Sequence, residues 1–244
     1  MSWPAAYGRV MLAETDSTMD EARRQSAHRA APFWVFAERQ TAARGRRGRA
    51  WAHPEGNFSA TLVLRPEGGP AQAALRSFVA ALALYDAFVA LTGRPEPFAL
   101  KWPNDVLLNG GKVAGILLEG GGDGVVAIGI GVNLIAAPDR DSVEPGAVPP
   151  VSLLSETGAA VTPEQCLDAL ADAYAAREAS FAAYGFGPTR EAWLARAARL
   201  GQPVNARTGR SETTGTFETV DAQGQLVLKT SAGRVAIPAA DVHF

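Results

Sequence analysis

The stretch Phe98-Ala99-Leu100-Lys101-Trp102-Pro103-Asn104-Asp105-Val106-Leu107-Leu108-Asn109-Gly110-Gly111-Lys112-Val113-Ala114-Gly115-Ile116-Leu117 carries the pattern from which the rest can be read. Short apolar runs flank Asn109-Gly110, the residue pair that two-residue hairpin turns select, so strands are expected on both sides. Two lysines and an Asn-Asp pair interrupt this otherwise buried sequence. Alternation makes Lys101, Asp105 and Lys112 candidates for one sheet face. A lysine desolvated beside a carboxylate and an α-phosphate can bridge two reactants and stabilise charge developing between them. Lys112 is the stronger functional candidate, because Gly110-Gly111 before it and Ala114-Gly115 after it clear space. Asp105 is a candidate magnesium ligand, directly or through water.

Upstream lies Gln40-Thr41-Ala42-Ala43-Arg44-Gly45-Arg46-Arg47-Gly48-Arg49-Ala50-Trp51, with four arginines in six residues. Basic runs are often solvated faces. Here glycines alternate with the arginines, which lets backbone N–H groups approach a phosphate, and guanidinium donates in a planar fork suited to phosphate and carboxylate. The loop is expected to be open when empty, since like charges repel, and to be ordered by anions. Trp51 is a candidate stacking partner for a purine, with plain core packing as the alternative. Ser17, Thr18 and Gln40 supply the mixed donors and acceptors that a small polar ring needs.

Working outward, 9–13, 33–37 and 58–64 read as strands, and a helix capped by Ser17 or Thr18 runs to about Ala27. Apolar residues at Leu75, Phe78, Val79, Leu82 and Val89 have helical period, with Gly93 as the stop. Residues 112–119 and 125–133 read as strands, and 136–150 as a long surface loop. Thr162-Pro163-Glu164-Gln165 has the form of a capping box with proline at the first helical position; a long helix follows, then a second over 188–200. From Gly201 short alternating runs form a β-module that needs docking for stability. The expected division is 1–200 and 201–244.

The formal net charge of −2 speaks against a dedicated nucleic-acid binder. One cysteine, Cys166, excludes a disulfide framework within the chain and fits a reducing cytoplasm. No signal peptide is read at the N-terminus, and no apolar stretch of roughly 18 residues is seen that would cross a membrane. A Gly-x-x-x-x-Gly-Lys-Ser/Thr phosphate loop, a dinucleotide fingerprint, a Gly-x-Ser-x-Gly elbow and a His-Glu-x-x-His zinc motif are all missing. His28, His53 and His243 are scattered in polar contexts.

Taken together, Glu14-Thr15-Asp16-Ser17-Thr18, the Arg44 to Arg49 loop, Lys101-Trp102-Pro103-Asn104-Asp105, Gly111-Lys112-Val113-Ala114-Gly115-Ile116-Leu117 and Gly129-Ile130-Gly131-Val132-Asn133 resemble the biotin protein ligases in order and spacing, over roughly residues 9 to 244. The resemblance implies an α+β fold with a class II aminoacyl-tRNA-synthetase-like mixed sheet and a small C-terminal SH3-like β-barrel. It implies a ligase that forms biotinyl-5′-AMP from biotin and ATP with Mg²⁺, then transfers biotin to a lysine of a biotin carboxyl carrier domain. Lys112, Arg44 and Asp105 would be catalytic. Ser17, Thr18, Gln40, Arg44, Gly45, Arg46, Lys112 and Gly115 would bind biotin. Arg46, Arg47, Trp51, Asn104, Asp105 and Asn133 would serve the nucleotide, with Asp105 at the metal. The family usually has Gly at Ala43 and often Asn at Met19. Repressor members add a winged-helix domain ahead of the catalytic one, which has no counterpart here, so no DNA binding is expected. The expected state is a monomer or weak homodimer. A lipoate or octanoate ligase or transferase of the same fold and an RNA-binding Arg-Gly module remain as alternatives.

Overall fold

The computed structural model describes residues 3–52, 54–139, 143, 146–208 and 211–243. His53 therefore lies outside the described residues, as do parts of the loop read at 136–150. A seven-stranded sheet runs in the order β1 (Gly8–Thr15), β2 (Phe33–Gln40), β3 (Phe58–Leu64), β7 (Val126–Val132), β6 (Gly111–Gly120), β5 (Asp105–Leu108) and β4 (Phe98–Lys101). Only β1 and β2 pair in parallel; every other neighbour is antiparallel.

Both faces of the sheet are covered, which is why Phe33-Trp34-Val35-Phe36-Ala37 is apolar throughout. Trp34 and Phe36 join the main core, while Phe33 and Val35 pack with Ala22 of helix α1 (Thr18–Ser26) on the opposite face. The main-core face carries α3 (Arg76–Thr92), which follows the short α2 (Pro70–Ala74), and α5 (Pro163–Tyr184), which follows the short α4 (Leu153–Thr157). Thr162 and Gln165 form the expected reciprocal cap of α5, with Pro163 at its first turn.

Two expectations need correcting here. Residues Pro70–Thr92 are long and apolar enough to cross a membrane by composition. Their apolar residues are instead buried against α5 and the sheet, so the all-round hydrophobicity belongs to a core helix. The second late helix, α6, spans Phe186–Leu194 rather than 188–200. Gly185 supplies the backbone turn that lets it start directly after α5.

The C-terminal sheet has the antiparallel order β11 (Gly233–Ile237), β10 (Leu226–Thr230), β9 (Glu212–Val220), β8 (Pro203–Arg207), β12 (Asp241–His243). Its apolar residues Val204, Phe217, Val220 and Leu228 belong to the same buried cluster as Phe78 and Trp193. Phe217 packs beside Trp193 at 6.5 Å between ring centroids. The Trp102 indole N–H donates to the Gly224 carbonyl at 3.0 Å. Docking thus gives the module the core that its size denies it.

Candidate active site

Parallel pairing of β1 and β2 brings their C-terminal ends side by side, with Thr15 opposite Gln40. Ser17 caps α1, accepting from the Met19 N–H at 3.2 Å. The Gln40 Oε1 accepts from the Thr18 N–H at 2.8 Å and from its hydroxyl at 3.2 Å, and the Thr18 hydroxyl accepts from Thr61 at 2.9 Å. Ser17, Thr18 and Thr61 are buried, so this chain of bonds fixes a polar corner at one end of a cleft of about 520 Å³.

The floor of the cleft is a cross-strand row of small residues. Gly115, Gly131 and Ser59 are register partners across β6, β7 and β3, and Gly129 lies opposite Thr61 one step along. A methyl group at Gly131 would lie 2.6 Å from the Trp51 indole, and one at Gly115 3.1 Å from it. A methyl at Gly129 would meet Met19 Sδ at 2.8 Å. These glycines seat Trp51 and Met19 on the floor. Met19 is buried and gives this part of the wall an apolar surface.

Lys101, Asp105 and Lys112 converge at the other end. Lys101 faces Asp105 across the β4–β5 turn. Lys112 reaches that face because the β5–β6 ladder bulges between Val106 and Leu107, which puts Lys112 opposite Leu107. The extra residue reverses the alternation and re-aims the side chain. Lys112 Nζ lies 2.7 Å from Asp105 Oδ1, and Lys101 Nζ lies 3.7 Å from Oδ2. Burial alone would raise the Asp105 carboxyl; the Lys112 and Lys101 ammoniums and Arg46 outweigh it and hold the group below its ordinary value. Burial pulls the Lys101 ammonium down, against the opposing pull of Asp105. Lys112 is the more open of the two lysines and lies 5.4 Å from the centre of the Trp51 ring. Gly111, expected to clear room for a ligand, makes room for Val151 instead, whose Cγ1 would lie 2.3 Å from an added methyl.

The arginine loop forms a hydrogen-bonded hairpin, with a bridge between Arg44 and Ala50. Gly45 N–H donates to the Arg49 carbonyl at 2.7 Å, and Trp51 N–H to that of Ala43 at 3.0 Å. Like-charge repulsion is relieved by carboxylates from distant elements. Arg44 pairs with Asp20 of α1 and lies 3.7 Å from Glu119 of β6. Arg46, Arg47 and Arg49 all face Asp241 of β12, at 3.4, 2.6 and 3.2 Å.

Ser17, Thr18, Gln40, Arg44, Gly45, Arg46, Trp51, Asn104, Asp105, Lys112, Gly115 and Asn133 all line the cleft. Arg47 does not; its left-handed backbone, φ 56°, turns the side chain to Asp241. Asn104 and Asn133 stand in the wall with their amides already engaged, on the Ile116 and Val151 carbonyls. Sequence reasoning missed Asp20, Glu119 and Asp241, and it gave no role to His243, which also lines the cleft. Nothing local in the chain marks these residues. Asp20, Glu119 and Asp241 meet the loop through the parallel β1–α1 entry, the far end of β6 and the docked last strand. Among the described residues no group of three His, Cys, Asp or Glu side chains is arranged to hold a metal.

Residues 8–133 match the model of the biotin/lipoate A/B protein ligase family, and residues 200–244 match the biotin protein ligase C-terminal domain. The chain is 59% identical over 238 residues to a biotin–(acetyl-CoA-carboxylase) ligase of Paracoccus denitrificans, covering 96% of this chain and 99% of the relative. It is 35% identical over 213 residues to the like-named ligase of Mycobacterium tuberculosis, covering 85% and 77%. A solved biotin protein ligase of Aquifex aeolicus in complex with biotin and ATP superposes with a TM-score of 0.80 at 26% identity, covering 96% of this chain and 97% of that one. With its polar corner, glycine floor, lysine–aspartate end and arginine hairpin in one cleft, the chain belongs to the biotin/lipoate A/B protein ligase family and carries the biotin protein ligase C-terminal domain.

Proposed function

We propose that this chain is an ATP-dependent biotin ligase that makes biotinyl-5′-AMP and passes the biotin to a lysine of a biotin carboxyl carrier domain. The observation that carries the chemistry is Lys112, paired to Asp105 at the end of a cleft whose opposite end is the Ser17–Thr18–Gln40 corner. Biotin has the matching shape: a ureido ring needing donors and acceptors, an apolar middle, and a carboxylate at the far end. The Gln40 oxygen is occupied by Thr18, and its NH₂ end has no partner among the described residues, which suits the ring carbonyl. Trp51 and the glycine floor suit the apolar middle and the adenine.

In the first half-reaction a biotin carboxylate oxygen attacks the α-phosphorus, and the bond to the bridging α–β oxygen breaks, releasing pyrophosphate. Lys112 holds the carboxylate and the α-phosphate oxygens together; Arg44, Gly45 and Arg46 close the loop over them. Asp105 holds the Lys112 side chain extended toward the cleft. In the second half-reaction the neutral amine of the acceptor lysine attacks the acyl carbon. The acyl–phosphate bond breaks, AMP leaves, and the amine proton passes to solvent.

Magnesium would come with ATP and offset charge on the leaving pyrophosphate; both Asp105 oxygens face lysines, so Asp105 would hold the ion through water. Asn104 and Asn133 shape the nucleotide wall. The working compartment is read as the cytoplasm, and the state as a monomer or weak homodimer. The proposed division lies near residue 200, between the last helix and the last sheet.

The test is mass spectrometry of a carrier domain incubated with the protein, ATP, Mg²⁺ and biotin, with parallel arms containing lipoate or octanoate. A single biotin adduct on one lysine is expected. Transfer of lipoate or octanoate in place of biotin would overturn the substrate assignment.

A further inference from the structure

Asp241 stands on the last strand, far in sequence from the arginine hairpin, yet three of the four loop arginines face its one carboxylate. Arg46 is the least satisfied of the three. Its contacts to Asn104 Oδ1, the Ala240 carbonyl and Asp241 Oδ1 are all 3.4 Å, the outer edge of hydrogen bonding, although the side chain is mostly buried. Arg47 makes the short contact, 2.6 Å, from a backbone conformation that L-residues with side chains seldom adopt. The Asp241 carboxylate thus occupies, among these arginines, the place of an anion.

We propose that Asp241 is a positioning residue for the nucleotide: a built-in counter-ion that holds the arginine hairpin in register and is exchanged for the polyphosphate of ATP. The inference rests on the ligase reading above. It assigns the C-terminal module a role in the nucleotide step, since that module delivers the competing charge. Asp241 does not touch reacting atoms; it sets how much of the arginines' attraction a phosphate must win. Phosphate oxygens carry more charge and more acceptor sites than one carboxylate, so the exchange favours the nucleotide. Until then the arginines stay ordered.

The full-length chain carrying Asp241→Asn keeps the shape and removes the charge, and Asp241→Glu restores it. In biotin-dependent pyrophosphate exchange, Asp241→Asn is expected to lower the KM for ATP about two- to fivefold, the worth of one partly exposed ion pair, since a single carboxylate is lost. The kcat and the KM for biotin should hardly move, and Asp241→Glu should return the KM for ATP toward wild type. Inorganic tripolyphosphate serves as a probe that needs no catalysis: Asp241→Asn should bind it more tightly, and without any anion should be cut faster by trypsin within Arg44 to Arg49. An unchanged or raised KM for ATP in a folded Asp241→Asn protein, or unchanged tripolyphosphate binding, would overturn the proposal. If the wild type exchanges no pyrophosphate at all, the ligase reading fails instead, while the tripolyphosphate and trypsin arms still decide the counter-ion.

Discussion

Lys112 shows how much of the mechanism is set by one side chain and one irregularity in a ladder. The bulge at Val106 and Leu107 is what places its ammonium 2.7 Å from Asp105. Because the ammonium acts on charge that grows in the transition state, Lys112→Ala should lose on the order of 10²–10³ in adenylation rate. Its loss also leaves the buried Asp105 carboxylate with Lys101 as the remaining lysine, so the thermal midpoint should fall and the rate must be read on the folded fraction. Near-normal pyrophosphate exchange by the folded variant would remove Lys112 from the mechanism. Asp105 makes a different prediction. Its carboxyl is held below the ordinary 3.8 by the lysines despite burial. A depressed folded-state value means that its contribution to stability is complete above the unfolded value and is lost as pH falls through the folded one, so the acid side is where it shows. Asp105→Asn leaves two ammonium groups without their carboxylate and should cost on the order of 3–5 kcal/mol near neutral pH. That difference should shrink steadily below about pH 4. Urea midpoints measured across this range check it; a gap that stays constant into acid would mean that the carboxylate is not ionised in the folded state.

At the scale of elements, the strands and capped helices were legible because their signals are local: Asn109-Gly110 turns with φ of 49° and 82°, and Thr162 caps α5 as its tetrapeptide announces. The lysines and the aspartate were legible for the same reason, as charges inside apolar strands. The ion pairs of the arginine hairpin were not, because its counter-ions come from α1, β6 and β12, and local sequence carries no record of such meetings. Repulsion among the arginines was the correct force, judged without the carboxylates that offset it. The hairpin remains the element whose order should depend on ligand. Arg47, Gly48, Arg49 and Ala50 are exposed, so trypsin should enter there first, and biotin with ATP should slow that cut strongly. Mixed anhydrides react with water and amines, so the lid must retain them. Arg46→Gly removes one closing group and leaves the Lys112–Asp105 pair. Adenylate should then form but escape, and bystander proteins should become biotinylated on lysines. Unchanged cutting with ligands, together with no bystander labelling, would leave the hairpin without a lid function.

For the whole molecule the question is whether the last sheet is an appendage or part of one folding unit. Its small size favours the second answer, since a sheet of this length buries too little surface to stand alone. The contacts agree. Phe217 is buried beside Trp193, Trp193 packs against Phe78 at 5.3 Å, and a methyl at Gly224 would lie 2.9 Å from Leu75. The Trp102 indole adds its bond to the Gly224 carbonyl within the same turn that carries Asn104 and Asp105. A defect in the module should therefore be felt in the catalytic domain. Phe217→Ala empties an aromatic site in the shared core and should cost about 3–5 kcal/mol. Unfolding should remain a single transition, moved to lower temperature, with circular dichroism of the helices and fluorescence of Trp102 and Trp193 changing together. The same variant should weaken the seating of β12 and so loosen the arginine hairpin, visible as faster tryptic cutting at temperatures where the fold is intact. Two separated transitions, the earlier one leaving the helical signal untouched, would mean that the module folds apart from the catalytic domain and that its hold on the hairpin is dispensable to the fold.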